Sequence, residues 1–146
     1  NGTVSIGASD TLTVTGSVAA ASSGIFILNN AAVLEVAADT GNANRMSFIG
    51  STSRLIVDAV ASFGTNVGQA SYTGPLLQNF GVGDAVDLKD LSFLGAVQTY
   101  TAATGLMQLT SGATLATLRF DNATVSGPGV FQLSDDGTGH VRVTHT

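Results

Sequence analysis

Residues 4–57, VSIGASDTLTVTGSVAAASSGIFILNNAAVLEVAADTGNANRMSFIGSTSRLIV, decide the fold. Leu12-Thr13-Val14 returns as Leu34-Glu35-Val36 after 22 residues and as Leu55-Ile56-Val57 after a further 21. The outer positions of each triplet are apolar, as in a strand that meets a core at alternate residues. Five residues before each leucine stands Gly7, Asn29 or Gly50, residue types that tolerate a positive φ at a bend. Ahead of each bend lies a second apolar stretch, Val4-Ser5-Ile6, Ile25 to Leu28 and Met46 to Ile49, with Val4, Phe26 and Phe48 at intervals of 22. One repeat therefore reads strand, bend, strand, and then a longer polar connection such as Ala37 to Arg45.

A unit of this length cannot close a core alone, but copies stacked with parallel strands in register bury a continuous apolar column. The reading is all-β, a parallel β-helix (β-solenoid) of about 21–22 residues per rung. Its column would hold Val4, Ile6, Leu12, Val14, Phe26, Leu34, Val36, Phe48, Leu55 and Val57. A β-sandwich is the competing reading, and the joint recurrence of bend and both strands favours the stack.

Composition agrees. Gly, Ser and Thr supply about a third of the 146 residues, charged residues only 10%, and Glu35 and Lys89 are the sole Glu and Lys. Thr and Val suit a pleated surface, and Gly and Ser suit tight bends. The length fits one domain, residues 1–146, with solenoid rungs over 1–78 and further rungs or an antiparallel hairpin cap over 79–146.

Past Asp58 the period blurs through Ala61 to Gly74. Leu76-Leu77, 21 residues after Leu55, fits a fourth rung. A turn at Gly83-Asp84 precedes a strand ending at Leu88. Tyr100 to Thr104, Leu106 to Thr110 and Thr114 to Phe120 are strand-like, and their short connections at Gly105 and Ser111-Gly112 favour hairpins. Val130 to Leu133 and His140 to Thr144 form a last pair around Ser134 to Gly139. This part would cover one end of the stack, whereas the strand at Val4 carries no cap, which suits a piece of a longer solenoid or a face for end-to-end stacking.

The run Phe80-Gly-Val-Gly-Asp-Ala-Val-Asp-Leu88, the Thr-rich strand through Ala103 to Leu106 and the closing Phe131-Gln-Leu-Ser-Asp-Asp-Gly-Thr-Gly-His-Val141 together resemble the terminal repeats of large secreted proteobacterial adhesins and autotransporter-like passengers. The resemblance covers most of the chain through short motifs. It implies an exported, cell-surface or extracellular structural protein and brings no catalytic residues with it.

Asp84, Asp87 and Asp90, spaced by three, and Asp135-Asp136 offer oxygen ligands for calcium. Gly81-Val82-Gly83-Asp84 matches the calcium-binding nonapeptide poorly and once, so the competing reading makes Asp84 a turn residue, Asp87 and Asp90 solvated, and Asp135-Asp136 a hairpin turn. Calcium is thus the one cofactor these residues suggest, and the pattern amounts to no metal site. His140 and His145 lie five apart on one strand and point to opposite faces, which argues against a shared metal, and they are the only candidate bases for a Ser-His-Asp triad. Neither a nucleophile elbow nor a phosphate-binding loop is present. Glu35 and Asp58 sit at different offsets in successive repeats with no basic residue near them by periodicity, so the chain reads as no enzyme. Thr11, Thr13 and Thr15 alternate, but Val33, Glu35 and Ala37 replace them in the next repeat, so no threonine array propagates. The sequons at Asn1 and Asn122 matter only in a eukaryotic secretory route.

A net charge of −5 with five scattered basic residues leaves no stripe for nucleic acid or an anionic membrane. No apolar run is long enough for a spanning helix, and no cysteine offers a disulfide. If the protein is exported, its signal lies outside this sequence or is uncleaved and unrecognised within it. The expected partners are further copies or neighbouring repeats of a longer chain, and surface glycan. The expected role is a stalk, filament or surface-layer building block, with an adhesin or glycan-binding module as the alternative.

Overall fold

The computed structural model describes residues 2–41, 43–125 and 129–146. It is all-β, with one turn of 3-10 helix at Val60–Ser62 and no α-helix among the described residues. Strands alternate between two sheets: β1 (Thr3–Ile6), β2 (Thr11–Val18), β3 (Ile25–Leu28), β4 (Val33–Asp39), β5 (Arg45–Phe48), β6 (Arg54–Val57), β7 (Leu76–Gln78) and β8 (Ala85–Ser92). Five follow in the C-terminal part: β9 (Val97–Thr101), β10 (Leu106–Ser111), β11 (Thr114–Phe120), β12 (Phe131–Asp135) and β13 (His140–His145). The first sheet runs β1-β3-β5-β7-β11-β10-β9 and the second β12-β13-β8-β6-β4-β2.

Through β8, odd strands pair in parallel with odd and even with even. Alternate residues of each strand therefore stack into columns between the sheets. Leu12, Leu34, Leu55 and Val86 form one, and Val14, Val36, Val57 and Leu88 another. In the opposite sheet the columns are Ile6, Leu28 and Phe48, and Val4, Phe26, Met46 and Leu77. One buried cluster extends from Ile6 to Val143.

Three features depart from the sequence reading. Phe48 lies opposite Leu28, and Phe26 opposite Met46 at an offset of 20, because the β2–β4 register shifts by one between Val14 and Ser17 and the connection after β4 is one residue shorter than the one after β2. Leu76-Leu77 continues Arg45-Met46 of β5, whereas Leu55 of β6 is continued by Val86, 31 residues on. The extra length is the segment after β6, folded over itself through a Thr65–Thr73 bridge and the Tyr72 hydroxyl, which donates to Phe63 O at 3.0 Å. Finally, Val4 is not core. It is 43% exposed on β1, which is an edge strand with no outer neighbour among the described residues, and Leu12, Val14 and Phe26 are only half-buried.

The bends recur but with their strain elsewhere. Asp10 N donates to Gly7 O, Ala32 N to Asn29 O and Asp84 N to Gly81 O, at 2.9–3.1 Å, so Gly7, Asn29 and Gly81 begin four-residue turns. The positive φ falls at the third residue, on Ser9 (63°), Ala31 (58°), Thr52 (64°) and Gly83 (95°). Gly50 is needed for another reason: a Cβ there would lie 2.3 Å from Asn30 Cα of the preceding turn. Successive turns are hydrogen-bonded, Ser9 N to Asn30 O at 3.0 Å and Ala31 N to Ser51 O at 3.1 Å.

The hairpins expected in the C-terminal part are present. β9-β10-β11 is an antiparallel meander that joins the first sheet where β11 meets β7, and β12-β13 joins the second where β13 meets β8 antiparallel. Phe48, Phe80, Phe120 and Phe131 link the parallel stack to these hairpins, with ring centroids 4.5–5.1 Å apart at each step.

Candidate functional site

Charge gathers on the outer face of the second sheet. Because β6 and β8 are adjacent there, Arg54, Asp87 and Lys89 come together, and β13 adds Arg142 and β4 adds Glu35. Arg142 donates through Nε to Asp87 Oδ1 at 2.6 Å and through Nη2 to Oδ2 at 2.9 Å, while Arg54 approaches at 3.5 Å. The Lys89 ammonium donates to Glu35 Oε1 and lies 3.1 Å from Asp58 Oδ1. Glu35 also accepts from Thr13 Oγ1 at 3.2 Å.

The absence of a basic partner for Glu35 and Asp58, expected from periodicity, is thereby corrected. Lys89 reaches them across the long 31-residue offset, which no fixed period contains. The Lys89 hydrogen bond holds the Glu35 carboxyl below its ordinary value, and Glu35 and then Asp58 push the Lys89 amine up. Both groups are charged throughout the neutral range, so neither is poised to exchange a proton there. What this arrangement does is tie three neighbouring strands together across the stack.

The five aspartates weighed for calcium are dispersed. Asp84 is buried at a turn, where Oδ1 accepts from Ser53 N and Oδ2 from Gly81 N, both at 3.0 Å, and burial pushes its carboxyl up. Asp87 is not solvated but 4% exposed and clamped by Arg142. Asp90 is exposed and accepts from Val60 N at 3.0 and 3.2 Å, fixing the 3-10 turn. Asp135 Oδ1 accepts from Gly137 N and Gly139 N, at 2.7 and 2.9 Å, and Asp136 Oδ1 from Thr138 N, Thr138 Oγ1 and His140 N. Although desolvation raises the Asp136 carboxyl, the Thr138 and His140 hydrogen bonds bring it below its ordinary value. Among the described residues, no three His, Asp or Glu side chains converge as ligands.

The histidines face opposite ways. His140 Nδ1 is 2.9 Å from Thr138 Oγ1 on the outside, and His145 is buried against Phe131 at 5.1 Å between ring centroids. Sequon residue Asn122 is engaged by Tyr100 and Ala102 O, and Asn1 lies outside the described residues.

A second feature lay outside the sequence reading. Where β9 of one sheet and β12 of the other end their sheets, the edges face each other across a cleft of about 420 Å³ lined by Gln98, Tyr100, Asn122, Phe131 and His145 among others. Gln98 Nε2 donates to Phe131 O at 2.9 Å and joins the two edges. Tyr100 and Phe131 rings sit 4.6 Å apart at 60°. These residues come from three strands and the loop after β11 with no common period, so no local pattern announces them.

No protein-family model matches the chain, and no curated protein matches it.

Proposed function

We propose that the chain is an extracellular structural β-solenoid module that serves as part of a stalk, filament or surface layer and is no enzyme. The carrying observation is the open first repeat. Val4, Phe26 and Met46 share one column, yet Val4 is 43% exposed and Met46 is fully buried. The outer edges of β1 and β2 offer the same parallel-pairing chemistry that β3 and β4 satisfy from the other side. Such edges invite another strand. The opposite end differs, because its strands turn back as hairpins. The partner that fits the β1 and β2 edges is a further strand pair of the same kind, from another copy or from neighbouring repeats of a longer chain.

The placement outside the cell draws on the resemblance of Phe80 to Leu88 and Phe131 to Val141 to adhesin repeats. Calcium is not required in this reading, since Asp84, Asp87, Asp90, Asp135 and Asp136 already accept from protein donors.

The test is to append a copy of residues 3–24 ahead of Thr3. In a stack whose stability grows by nearest-neighbour interfaces, the added repeat should raise Tm and become protected from hydrogen exchange, with Val4 protected too. An unprotected extension with unchanged Tm would overturn the reading. Protease shaving of intact source cells checks the location: retention of the full-length protein with no released fragment counts against it.

A further inference from the structure

The cleft between the β9 and β12 edges carries unfinished hydrogen bonding. His145 is 4% exposed, and its Nδ1 is buried without a hydrogen-bond partner among the described residues. Gln98 Oε1 is in the same condition, although Gln98 Nε2 is engaged. Both residues line one cleft, and a buried polar atom left unpaired carries a desolvation cost. Neither atom is solvent-accessible in this conformation, so a ligand recovers that cost where the Gln98 and His145 side chains turn toward it.

The rest of the lining sets the ligand's chemistry. Among the described residues, no Asp, Glu, Lys or Arg lines the cleft, so no carboxylate, ammonium or guanidinium there selects a charged ligand. Tyr100 and Phe131 give aromatic surface, and Asn122 and Tyr100, though bonded to each other, keep one amide hydrogen and one hydroxyl lone pair. Gln98 Oε1 needs a donor, while His145 Nδ1 donates or accepts according to tautomer. A group that both donates and accepts at several points, beside an apolar face, is a polyhydroxylated ring. The cleft volume lies within the range of small-molecule sites, about 300–1,000 Å³.

The geometry points to a binding site for a single neutral sugar residue, seated on Tyr100 and Phe131 and hydrogen-bonded to Gln98 and His145. This site is independent of the stacking role, because it lies at the hairpin end and not at the open first repeat.

The experiment is protein-observed NMR on the whole chain, titrated in turn with glucose, galactose, mannose, N-acetylglucosamine and glucuronate. At least one neutral sugar should shift the Gln98 side-chain amide and the His145 ring nitrogens, and leave the β1 amides still. His145→Phe, which keeps the ring contact with Phe131, should weaken that binding about tenfold, the loss of one hydrogen bond to a buried group. Tyr100→Phe serves as the second variant if His145→Phe lowers Tm, and should weaken binding several-fold. Shifts absent at tens of millimolar sugar, shifts confined to another surface, or binding of glucuronate alone would each overturn the assignment.

Discussion

Asp84 shows how one buried carboxylate joins two repeats. It accepts from Gly81 N in its own turn and from Ser53 N in the turn before, and its desolvation raises its pKa above the ordinary 3.8. A raised pKa means the folded state holds the proton more tightly than the unfolded chain. The associated stability is therefore fully present below 3.8 and is lost as pH rises through the raised value. Asp39, buried with Asn44 and Gly41 N, has the same sign. Glu35 and Asp136 have the opposite sign, so their stabilisation is lost as pH falls through their lowered values. Urea melts across about pH 3 to 7 should show Asp84→Asn flattening the decline on the high-pH side, with a general loss of about 1–3 kcal/mol from the unpaired N–H left behind. An unchanged slope would remove Asp84 from this account.

At the scale of the element, the repeated turn carries the most specific sequence demand. Thr52, β-branched, sits at φ 64°, where glycine is comfortable, and Gly83 takes the same place in the next repeat. Thr52→Gly should stabilise the fold by about 0.5–1 kcal/mol in a denaturant titration, the relief of a left-handed conformation exceeding the gain in unfolded-chain entropy. Gly50→Ala should do the reverse and cost more than about 1 kcal/mol, because its Cβ would meet backbone of the neighbouring turn at 2.3 Å. The bends were legible as Gly7, Asn29 and Gly50, since glycine and asparagine mark turns. Their strained position was not, because Ser9, Ala31 and Thr52 have no local reason to adopt a positive φ. The ladder of turn on turn, Ser9 with Asn30 and Ala31 with Ser51, supplies that reason.

For the whole molecule, stability should be graded from the open first repeat to the hairpin end. Val14 and Val57 occupy one column, but Val57 is fully buried and Val14 only half. Val57→Ala should cost about 2 kcal/mol, and Val14→Ala less than half as much, by equilibrium unfolding. Hydrogen exchange should rank the same way, with β1 and β2 exchanging before β8. Equal losses at both positions would show that the first repeat is as tightly held as the rest.

The chain's own residues determined the inward columns Leu12-Leu34-Leu55 and Val14-Val36-Val57, because pleat parity is a local property of two-residue period. They also determined the hairpins at Gly105, Gly112 and residues 134–139, because short connections admit few geometries. Only the tertiary structure decided which strands became neighbours after β6, since that depends on how the inserted 60–74 segment folds over itself. From that choice follow the meeting of Lys89 with Glu35 and Asp58, and of Val86 with Leu55. The cleft belongs to the same class of result: Gln98 and His145 are 47 residues apart, and they share a wall because two sheets end side by side.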